Sequence, residues 1–477
     1  MARIVMKFGG TSVADIERIR NVARHVRREV QAGHHIAVVV SAMAGQTNRL
    51  IEWVYEAAAK TAPAAISAAE AAKAAAQKAA IKKKAVKAAA HSGSKRVSAK
   101  TAMHKAPGLN HAAGGGSFQP YDWREYDAVV ASGEQVTAGL LALALQAMGI
   151  KARSWAGWQI PVITDNMHGA ARIISLDATA LIQDFEQRQV AVIAGFQGVA
   201  EDGRIATLGR GGSDTSAVAL AAAIKADRCD IYTDVDGIYT TDPRLEPKAR
   251  RLNRIAFEEM LEMASLGAKV MQVRSVELAM VHKVRTVVRC SFDKPNDPNQ
   301  GDFDNPPGTL ICDEEEILEQ QVVTGIAFAR DEAQISLRRL ADRPGVSAAI
   351  FGPLAEVGVN VDMIVQNVSE DADRVDMTFT VPQVDLPKAV RVLQHNRKAI
   401  GYDVLQSEAE LAKISIIGIG MRSHAGVAAT AFKALAAKGI NIRAITTSEI
   451  KISILIDNAY TELAVRSLHG IYGLDKI

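Results

Sequence analysis

Three short apolar runs constrain the fold of the first 300 residues more than any other feature of this sequence. They cover residues 4–8, 36–40 and 191–194, and each ends at a serine or at a glycine-containing turn. Because apolar residues occupy both alternating sets of positions, both faces of these strands must be buried, as in a parallel sheet covered by helices. The sequence therefore predicts an α/β domain that binds its ligands at the carboxyl ends of its strands.

A low-complexity stretch rich in alanine and lysine, residues 56–120, interrupts this pattern. It holds 11 Lys or Arg against two acidic residues, hence a charge of +9; since the whole chain carries +3, the rest carries −6. Its apolar residues are almost all alanine, so the stretch can bury little and is predicted to be a solvated or disordered insertion. Binding of nucleic acid by this basic stretch is the less favoured alternative, and it would be recognised by its sensitivity to salt.

The region after residue 322 contains an internal repeat. Residues 335–337, 344–346 and 358–361 recur as residues 414–416, 425–427 and 439–442, with the same spacing between the glycine turn and the following glycine. Each copy has the pattern of a strand, a turn, an amphipathic helix and further strands, which predicts a pair of βαββαβ units. We therefore predict a catalytic domain at residues 1–310 that contains the insertion, and small domains at residues 322–404 and 405–477.

Glycine-rich turns that follow apolar strands carry the candidate chemistry. Residues 7–12 (KFGGTS) are not a P-loop, because the lysine precedes the glycines, but backbone amides here could cradle a phosphate. Residues 207–215 (TLGRGGSDT) combine flexible backbone with Arg210, which suits bidentate recognition of a carboxylate or phosphate. Residues 231–239 (IYTDVDGIY) resemble a calcium loop only superficially, because Tyr239 and Leu245 stand where that loop needs Gly and Glu.

Four segments together resemble the aspartate kinase family: residues 7–12, 130–134 (VASGE), 209–214 (GRGGSD) and 232–239 (YTDVDGIY). The repeated C-terminal units are similar to the paired ACT domains of these kinases. The resemblance implies the amino-acid kinase fold, ATP with Mg²⁺, and phosphorylation of L-aspartate to 4-phospho-L-aspartate, the first step towards lysine, threonine and methionine. It also implies feedback inhibition by lysine, threonine or both, and a homo-oligomer formed through the ACT domains.

The resemblance also implies roles for individual residues. In the catalytic step it implies Lys7 and Asp214. For aspartate binding it implies Thr47, Glu134, Arg210 and Ser213. For ATP it implies Lys7, Gly9, Gly10, Ser41, Thr233, Asp234, Tyr239, Arg244 and Lys269. For effector binding it implies Asp342, Gly345, Asn360, Asp362, Gln366 and Asn367, with helix capping and dimer packing as alternatives. It gives no metal ligands.

The chemistry agrees with this set of residues. An aspartate side chain has a pKa of about 3.9, so the acceptor is already ionised at neutral pH and needs no general base. The harder task is to hold one anion in line with another, which requires cations and amide dipoles. We accordingly expect a structural role for His168, which lies in the turn at residues 167–172.

Several broader expectations complete the prediction. The chain opens on a strand-like segment and no apolar run reaches membrane-spanning length, which predicts a cytoplasmic protein without a membrane partner. Three cysteines without metal-ligand spacing predict buried free thiols. Two alternatives remain open: a kinase acting on glutamate, acetylglutamate or carbamate, and a catalytically silent amino-acid sensor.

Overall fold

A computed structural model describes residues 1–59, 121–267, 270–294, 306–317, 321–368 and 374–476. Met1–Ile51 and Asp122–Ile477 form one compact unit, and Glu52–Tyr121 forms a second. The predicted insertion at residues 56–120 lies almost wholly outside the described residues. In the second unit, the rings of Tyr55 and Tyr121 meet edge to face, with their centroids 5.9 Å apart.

The N-terminal part of the first unit is built on a large sheet. In the described part of the chain its strand order is β10-β12-β11-β9-β1-β2-β6-β3, and every neighbouring pair is parallel except β11 with β12. The strands are β1 (Arg3–Phe8), β2 (His35–Val40), β3 (Ala152–Trp155), β6 (Val190–Ala194), β9 (Arg228–Thr233), β10 (Arg254–Ala256), β11 (Thr286–Cys290) and β12 (Thr309–Cys312). The predicted parallel sheet is confirmed.

A smaller sheet stands beside it, with the order β5-β4-β7-β8. Its strands are β4 (Val162–Thr164), β5 (Ile173–Leu176), β7 (Gln197–Val199) and β8 (Ile205–Thr207). The helices of this part of the chain are α1 (Ile16–Gln31), α2 (Gln46–Ala58), α3 (Trp123–Val130), α4 (Ser132–Gln146), α5 (Thr179–Glu186), α6 (Gly212–Ala223), α7 (Phe257–Ser265) and α8 (Val273–His282).

Helices cover both faces of the large sheet, as the apolar runs require. Ile4 and Met6 of β1 pack into a core with α1 and α4, whereas Val5 packs into a second core with α6. Since successive side chains of a strand point to opposite faces, Lys7 lies on the same face as Val5, beneath α6. This alternation brings the lysine of the first motif towards the helix that follows the arginine motif.

The C-terminal sheet has six described strands in the order β14-β15-β13-β16-β18-β17. They are β13 (Gly325–Ala341), β14 (Asp362–Val368), β15 (Arg374–Pro382), β16 (Val404–Ile417), β17 (Ala444–Thr447) and β18 (Lys451–Asp457). The helices are α9 (Val346–Glu356), α10 (Leu386–His395), α11 (Arg397–Ile400), α12 (Val427–Ala437) and α13 (Thr461–Ile471). The repeat therefore builds two α+β units in one sheet.

The two units share strands, which differs from the contiguous βαββαβ units predicted. The first half of β13 pairs with residues 413–417 of β16, and its second half pairs with residues 404–408. Val323 and Ile326 pack into the core of the second C-terminal unit, although they lie at the start of the segment predicted for the first, residues 322–404. The physical reason is that β13 is long enough to continue past the first C-terminal unit, so its start forms the edge strand beside β16 in the sheet of the second.

One helical stretch of the described chain, Trp123–Gln146, is long and apolar enough to cross a membrane by length and composition, and half of its most apolar window is buried. Helices buried in a protein core meet the same criterion of length and composition, so this segment does not contradict the prediction. Ala138, Leu141 and Leu145 on this stretch pack into the core beneath α1. Its apolar character is explained by that packing.

Candidate active site

A cavity of about 340 Å³ opens at the carboxyl ends of β1 and β2 and at the start of α6. Eight of the residues predicted to bind substrate or nucleotide line it together: Lys7, Gly10, Ser41, Thr47, Glu134, Arg210, Ser213 and Asp214. They come from segments far apart in the sequence. A cavity of this size and position suits a small ligand at the edge of an α/β sheet.

Lys7 and Asp214 form a buried ion pair at the base of the cavity. Lys7 Nζ lies 2.5 Å from Asp214 Oδ1, and each side chain is 10% exposed. Asp214 stands in the first turn of α6, which Gly211 begins in the left-handed conformation with φ 72°. A side chain at position 211 would overlap Gln272, so glycine is needed both for the turn and for the close approach. The pair places a cation beside the amino terminus of a helix, where an anion is stabilised.

Gly9 and Gly10, which the sequence analysis treats alike, differ in the structure. Gly10 lines the cavity, and a Cβ there would lie 2.9 Å from the carbonyl oxygen of Ala42. Gly9 does not line it, and its amide donates a hydrogen bond to the carbonyl of Tyr232 at 3.2 Å. The expectation that the Gly9 amide cradles a phosphate therefore does not fit this conformation, because β9 already binds that donor.

Glu134 carries a carboxyl group that is only partly satisfied. Its Oε1 accepts a hydrogen bond from the Ala42 amide at 3.0 Å, while its buried Oε2 has no hydrogen-bond partner among the residues described. Burial raises the pKa of Glu134 to about 7. Gly133 allows this approach, since a Cβ there would lie 2.8 Å from Ala42 Cβ. A buried carboxylate oxygen facing a cavity suits an ammonium ligand.

The arginine loop, residues 209–212, forms the opposite wall. Arg210 is exposed, and in the part of the chain that the structure describes its guanidinium makes no ion pair or side-chain hydrogen bond. Ser213 is buried in the first turn of α6, and Thr47 lies in the first turn of α2. These polar groups have the chemistry to bind the carboxylate of an amino acid, and the Glu134 carboxylate has the chemistry to bind an ammonium group.

Four other described residues predicted to bind ATP do not line this cavity: Thr233, Asp234, Tyr239 and Arg244. Thr233 ends β9, and its hydroxyl donates to Asp234, 3.2 Å away. The Tyr239 hydroxyl donates to Asp236 at 2.9 Å, and Arg244 binds the carboxylate of Asp242. These side chains pair within their own loop in this structure. Lys269 lies outside the described residues.

Phe196 is a cavity residue that none of the sequence motifs indicated. It lines the cavity and has a φ of 69°, in the left-handed region that residues other than glycine seldom adopt. Its amide donates a hydrogen bond to Ser216 Oγ at 3.0 Å. Strained residues of this kind cluster at ligand sites. The sequence feature that could have indicated it is the glycine-containing turn GFQG, residues 195–198, which follows the third apolar run.

The predicted effector residues lie in the first C-terminal unit. Gly345 precedes α9 in the left-handed conformation with φ 92°, and Gln366 and Asn367 lie on the edge strand β14. Asp362 already has a partner, because its Oδ2 lies 2.5 Å from Lys413 Nζ. Burial raises the pKa of Asp362, but the hydrogen bond and charge of Lys413 outweigh it and lower the pKa overall. Asp342 and Asn360 are solvent-accessible.

Comparison with known proteins agrees with both halves of the molecule. Residues 2–290 match the amino acid kinase family, and residues 334–394 and 414–471 each match an ACT domain. An aspartate kinase from Pseudomonas putida is 45% identical over 476 residues, covering 100% of this chain and 98% of that protein. An aspartokinase from Helicobacter pylori is 41% identical over 477 residues, covering 99% of this chain and 100% of that protein.

A solved structure shows the same architecture. Escherichia coli aspartokinase III in complex with aspartate and ADP has a TM-score of 0.67 and 26% identity, covering 98% of this chain and 99% of that one. The aspartokinase match extends over the catalytic cavity and both C-terminal units alike. The chain is therefore a kinase, and it belongs to the aspartate kinase family, with an amino-acid kinase domain followed by two ACT domains.

Proposed function

We propose that this chain transfers the γ-phosphate of ATP to the side-chain carboxylate of L-aspartate, giving 4-phospho-L-aspartate and ADP. One observation carries the proposal: a single cavity brings together an unpartnered carboxylate oxygen of Glu134, the open guanidinium of Arg210 and the Lys7–Asp214 pair. An amino acid with a second carboxylate needs these three kinds of contact at once. The Escherichia coli relative was solved with aspartate and ADP, which supports the same ligands here.

In this proposal the polar walls hold aspartate at both ends. Glu134 binds the ammonium group, and Arg210 binds a carboxylate through two parallel hydrogen bonds. Ser213 and Thr47 supply hydroxyls beside them. The second carboxylate then faces Lys7, and it acts as the nucleophile without losing a proton, because it is already ionised at neutral pH.

Lys7 and the amino terminus of α6 serve the phosphate. Repulsion between the acceptor carboxylate and the γ-phosphate opposes their approach, and the lysine charge and helix dipole offset it where charge develops. Asp214 fixes the lysine through its 2.5 Å contact. Thr233, Asp234, Tyr239, Arg244 and Lys269 are proposed to bind the rest of the nucleotide from the loop after β9.

We also propose Mg²⁺ as the partner of ATP. The described residues contain no group of three or more His, Cys, Asp or Glu that could hold a metal. This fits Mg²⁺, which keeps several waters and is usually held by substrate phosphates with one or two carboxylates. When bound with ATP it would neutralise phosphate charge, and Asp214 is the carboxylate nearest to Lys7 for that purpose.

Regulation by lysine, threonine or both is proposed to act through the ACT domains. A structure of Escherichia coli aspartokinase III contains lysine and aspartate, with a TM-score of 0.65 and 27% identity over 98% of each chain. In this chain the second C-terminal unit contacts the loop after β9, which is proposed to bind the nucleotide. Thr240 Oγ1 of this loop lies 2.9 Å from His469 Nε2, and the Ile326 amide donates to the Thr240 carbonyl at 2.7 Å. We propose a cytoplasmic homo-oligomer in lysine, threonine and methionine biosynthesis.

Trapping of the product tests the catalytic proposal. The full-length protein is incubated with ATP, Mg²⁺, L-aspartate and hydroxylamine, and both ADP and hydroxamate are measured. Aspartate-dependent hydroxamate is expected, and it should be absent with glutamate, acetylglutamate or carbamate. A version lacking residues 56–120 is the matched control for the insertion. Product from neither protein would refute the proposal and favour an amino-acid sensor.

A second assay tests the regulation. Lysine and threonine are added separately and together to the active protein at millimolar concentration. Reduced hydroxamate formation with at least one combination is expected, because a catalytic module joined to a duplicated ligand-binding module links the two kinds of site. Unchanged activity with both amino acids present would contradict the proposed effectors while leaving the kinase intact.

A further inference from the structure

A buried carboxylate next to the arginine loop plays no part in the activity described so far. Asp127 lies in α3, and its side chain is wholly buried. Its Oδ1 accepts from Thr207 Oγ1 at 2.5 Å and from the Gly169 amide at 3.1 Å, and its Oδ2 lies 2.7 Å from His168 Nδ1. One carboxylate thus joins three segments: α3, the turn at residues 167–170, and the end of β8.

These segments support the arginine loop. The Ala171 amide donates to the Thr207 carbonyl at 2.9 Å, which fixes the turn against β8. The loop begins two residues after Thr207, at Gly209, which has a φ of 74°. A Cβ on Gly209 would lie 3.2 Å from the Gly169 carbonyl oxygen and 3.4 Å from Ala170 Cα, so the loop rests directly on the turn that Asp127 holds. Arg210 is the next residue.

The ring of Trp123 in α3 also packs on Gly169, where a Cβ would lie 2.7 Å from it, but the other ion pairs between α3 and this region are weaker. Arg124 pairs with Asp202 at 3.1 Å, and Arg204 pairs with Glu125, but the side chains of both pairs are substantially exposed. Exposed ion pairs contribute little to the free energy of unfolding. The buried Asp127 is therefore the contact in this set that can fix the position of the turn and of β8.

The donors explain why this residue is a carboxylate. A hydroxyl, a backbone amide and an imidazole nitrogen converge on it, and an ionised carboxylate offers only acceptors. Burial raises the pKa of Asp127, while the hydrogen bonds from Thr207, His168 and Gly169 oppose that rise. Asparagine would direct an NH₂ group at one of these donors, so it would disturb the turn without changing the size of the side chain.

We propose that Asp127 is a positioning residue for substrate recognition: it holds the turn at residues 167–170 and the end of β8 so that the arginine loop presents Arg210 to a carboxylate of the substrate. The inference rests on the proposed function, because it assumes that Arg210 binds aspartate. It gives His168 and Thr207 a role as donors to Asp127, consistent with the structural role expected for His168. Nucleotide binding does not depend on this contact.

Asp127→Asn tests the inference against a matched buried carboxylate. Asp184 of α5 is also buried, and its carboxylate accepts a hydrogen bond from Trp155 Nε1 at 3.2 Å. Asp127→Asn is expected to raise the KM for aspartate roughly ten- to a hundredfold, with the KM for ATP within about twofold of the parent. Asp184→Asn is expected to leave both values within about twofold.

The parent enzyme is measured first. Absence of aspartate-dependent hydroxamate would refute the proposed function itself. With an active parent, an Asp127→Asn protein whose KM for aspartate is unchanged, or whose two KM values rise equally, would overturn the positioning role alone. If Asp127→Asn does not fold, Thr207→Val removes a single donor, and an unchanged KM for aspartate in that variant also overturns the proposal.

A double-mutant cycle with Arg210→Ala shows whether Asp127 acts through the arginine. In the Arg210→Ala background, Asp127→Asn is expected to change kcat/KM for aspartate by less than about twofold, because the group it positions is gone. Full additivity of the two effects would mean that Asp127 supports the protein in some other way, and it would overturn the inference.

Discussion

The cavity of the amino-acid kinase domain and the C-terminal sheet both bury charged side chains, but they differ in whether those side chains have partners. In the cavity, Glu134 Oε2 has no hydrogen-bond partner among the described residues. In the C-terminal sheet, Lys413 is 8% exposed and lies 2.9 Å from Glu332 and 2.5 Å from Asp362. In the cavity, a buried carboxylate oxygen therefore lacks a partner among the described residues, whereas in the C-terminal sheet Lys413 has two ion-pair partners.

This difference teaches how to separate a ligand site from a structural ion cluster. A buried charge without a partner costs several kcal/mol, so a protein retains one where a ligand completes the interaction. A buried charge with all its partners needs no ligand. The comparison therefore predicts that changes in the cavity alter turnover, whereas changes at Lys413 alter the free energy of unfolding.

The largest effect is expected at Lys7. Lys7→Met removes the charge that is proposed to stabilise the transferring phosphate, and kcat should fall roughly a thousandfold, as when other preorganised groups at developing charge are lost. Turnover is measured at saturating aspartate and ATP, with circular dichroism to show that the variant is folded. Lys151→Met, at an exposed lysine, is the control. A Lys7→Met enzyme with near-parental kcat would break the assignment of the cavity.

Lys413→Met addresses the other side of the comparison. It leaves Glu332 buried and unpaired, so the free energy of unfolding should fall by about 3 kcal/mol. Arg443→Met breaks an exposed pair with Glu408 and should cost less than about 1 kcal/mol. Urea unfolding measures both. In the absence of effectors, Lys413→Met should keep its kinase activity at urea concentrations below its unfolding transition. A lower kcat under those conditions would contradict a purely structural role for the Lys413 cluster.

His25 offers a third case, because it is buried in the amino-acid kinase domain and does not line the cavity described above. Burial, with the nearby charges of Arg289 and Arg28, lowers its pKa to about 3, from an ordinary value of 6.5. Below pH 6.5 the His25 imidazole binds a proton in the unfolded chain but not in the folded protein. The free energy of unfolding therefore falls as the pH falls from 6.5 towards 3.

His25→Leu should therefore reduce the loss of stability on acidification. Between pH 7 and pH 5 the parent should lose about 2 kcal/mol more than the variant. Urea unfolding at both pH values measures this, and His282→Leu at an exposed position is the control. Parallel losses in His25→Leu and the parent would mean that the buried imidazole does not titrate as described.

The smallest effect concerns proton-linked binding at Glu134. Burial raises its pKa to about 7, and only the ionised form binds an ammonium group well. The KM for aspartate should therefore rise about tenfold between pH 8 and pH 6. Glu134→Gln should bind aspartate more weakly at every pH and lose this dependence. A pH-independent KM in the parent would show that Glu134 does not contact the amine.

Much of the fold could be predicted because it depends on local patterns. Apolar residues on both faces of residues 4–8, 36–40 and 191–194 require a covered sheet, and β1, β2 and β6 are neighbours in it. The repeat after residue 322 predicted two related units, and both formed. The motif residues predicted to bind substrate meet in one cavity because parallel strands end at the same edge.

Other features depended on contacts between distant segments. The start of β13 belongs by its packing to the second C-terminal unit, because the 17-residue strand pairs with β16 from Gly325 to Arg338 and so extends past the first unit. The Gly9 amide is occupied by the Tyr232 carbonyl, since β9 lies next to β1. Neither result follows from the pattern of residues around the glycine or around the strand.

The class of fold, the repeated units and the types of side chain available for phosphate and amino-acid binding follow from the sequence, because periodicity and turn chemistry are local properties. Which of those side chains lack a hydrogen-bond or ion-pair partner within the protein depends on the tertiary structure. Glu134 and Arg210 remain open to a ligand, whereas Asp362 is bound by Lys413 and Asp127 by three donors. Those outcomes depend on which distant residues share a buried space, and the sequence alone does not specify that geometry.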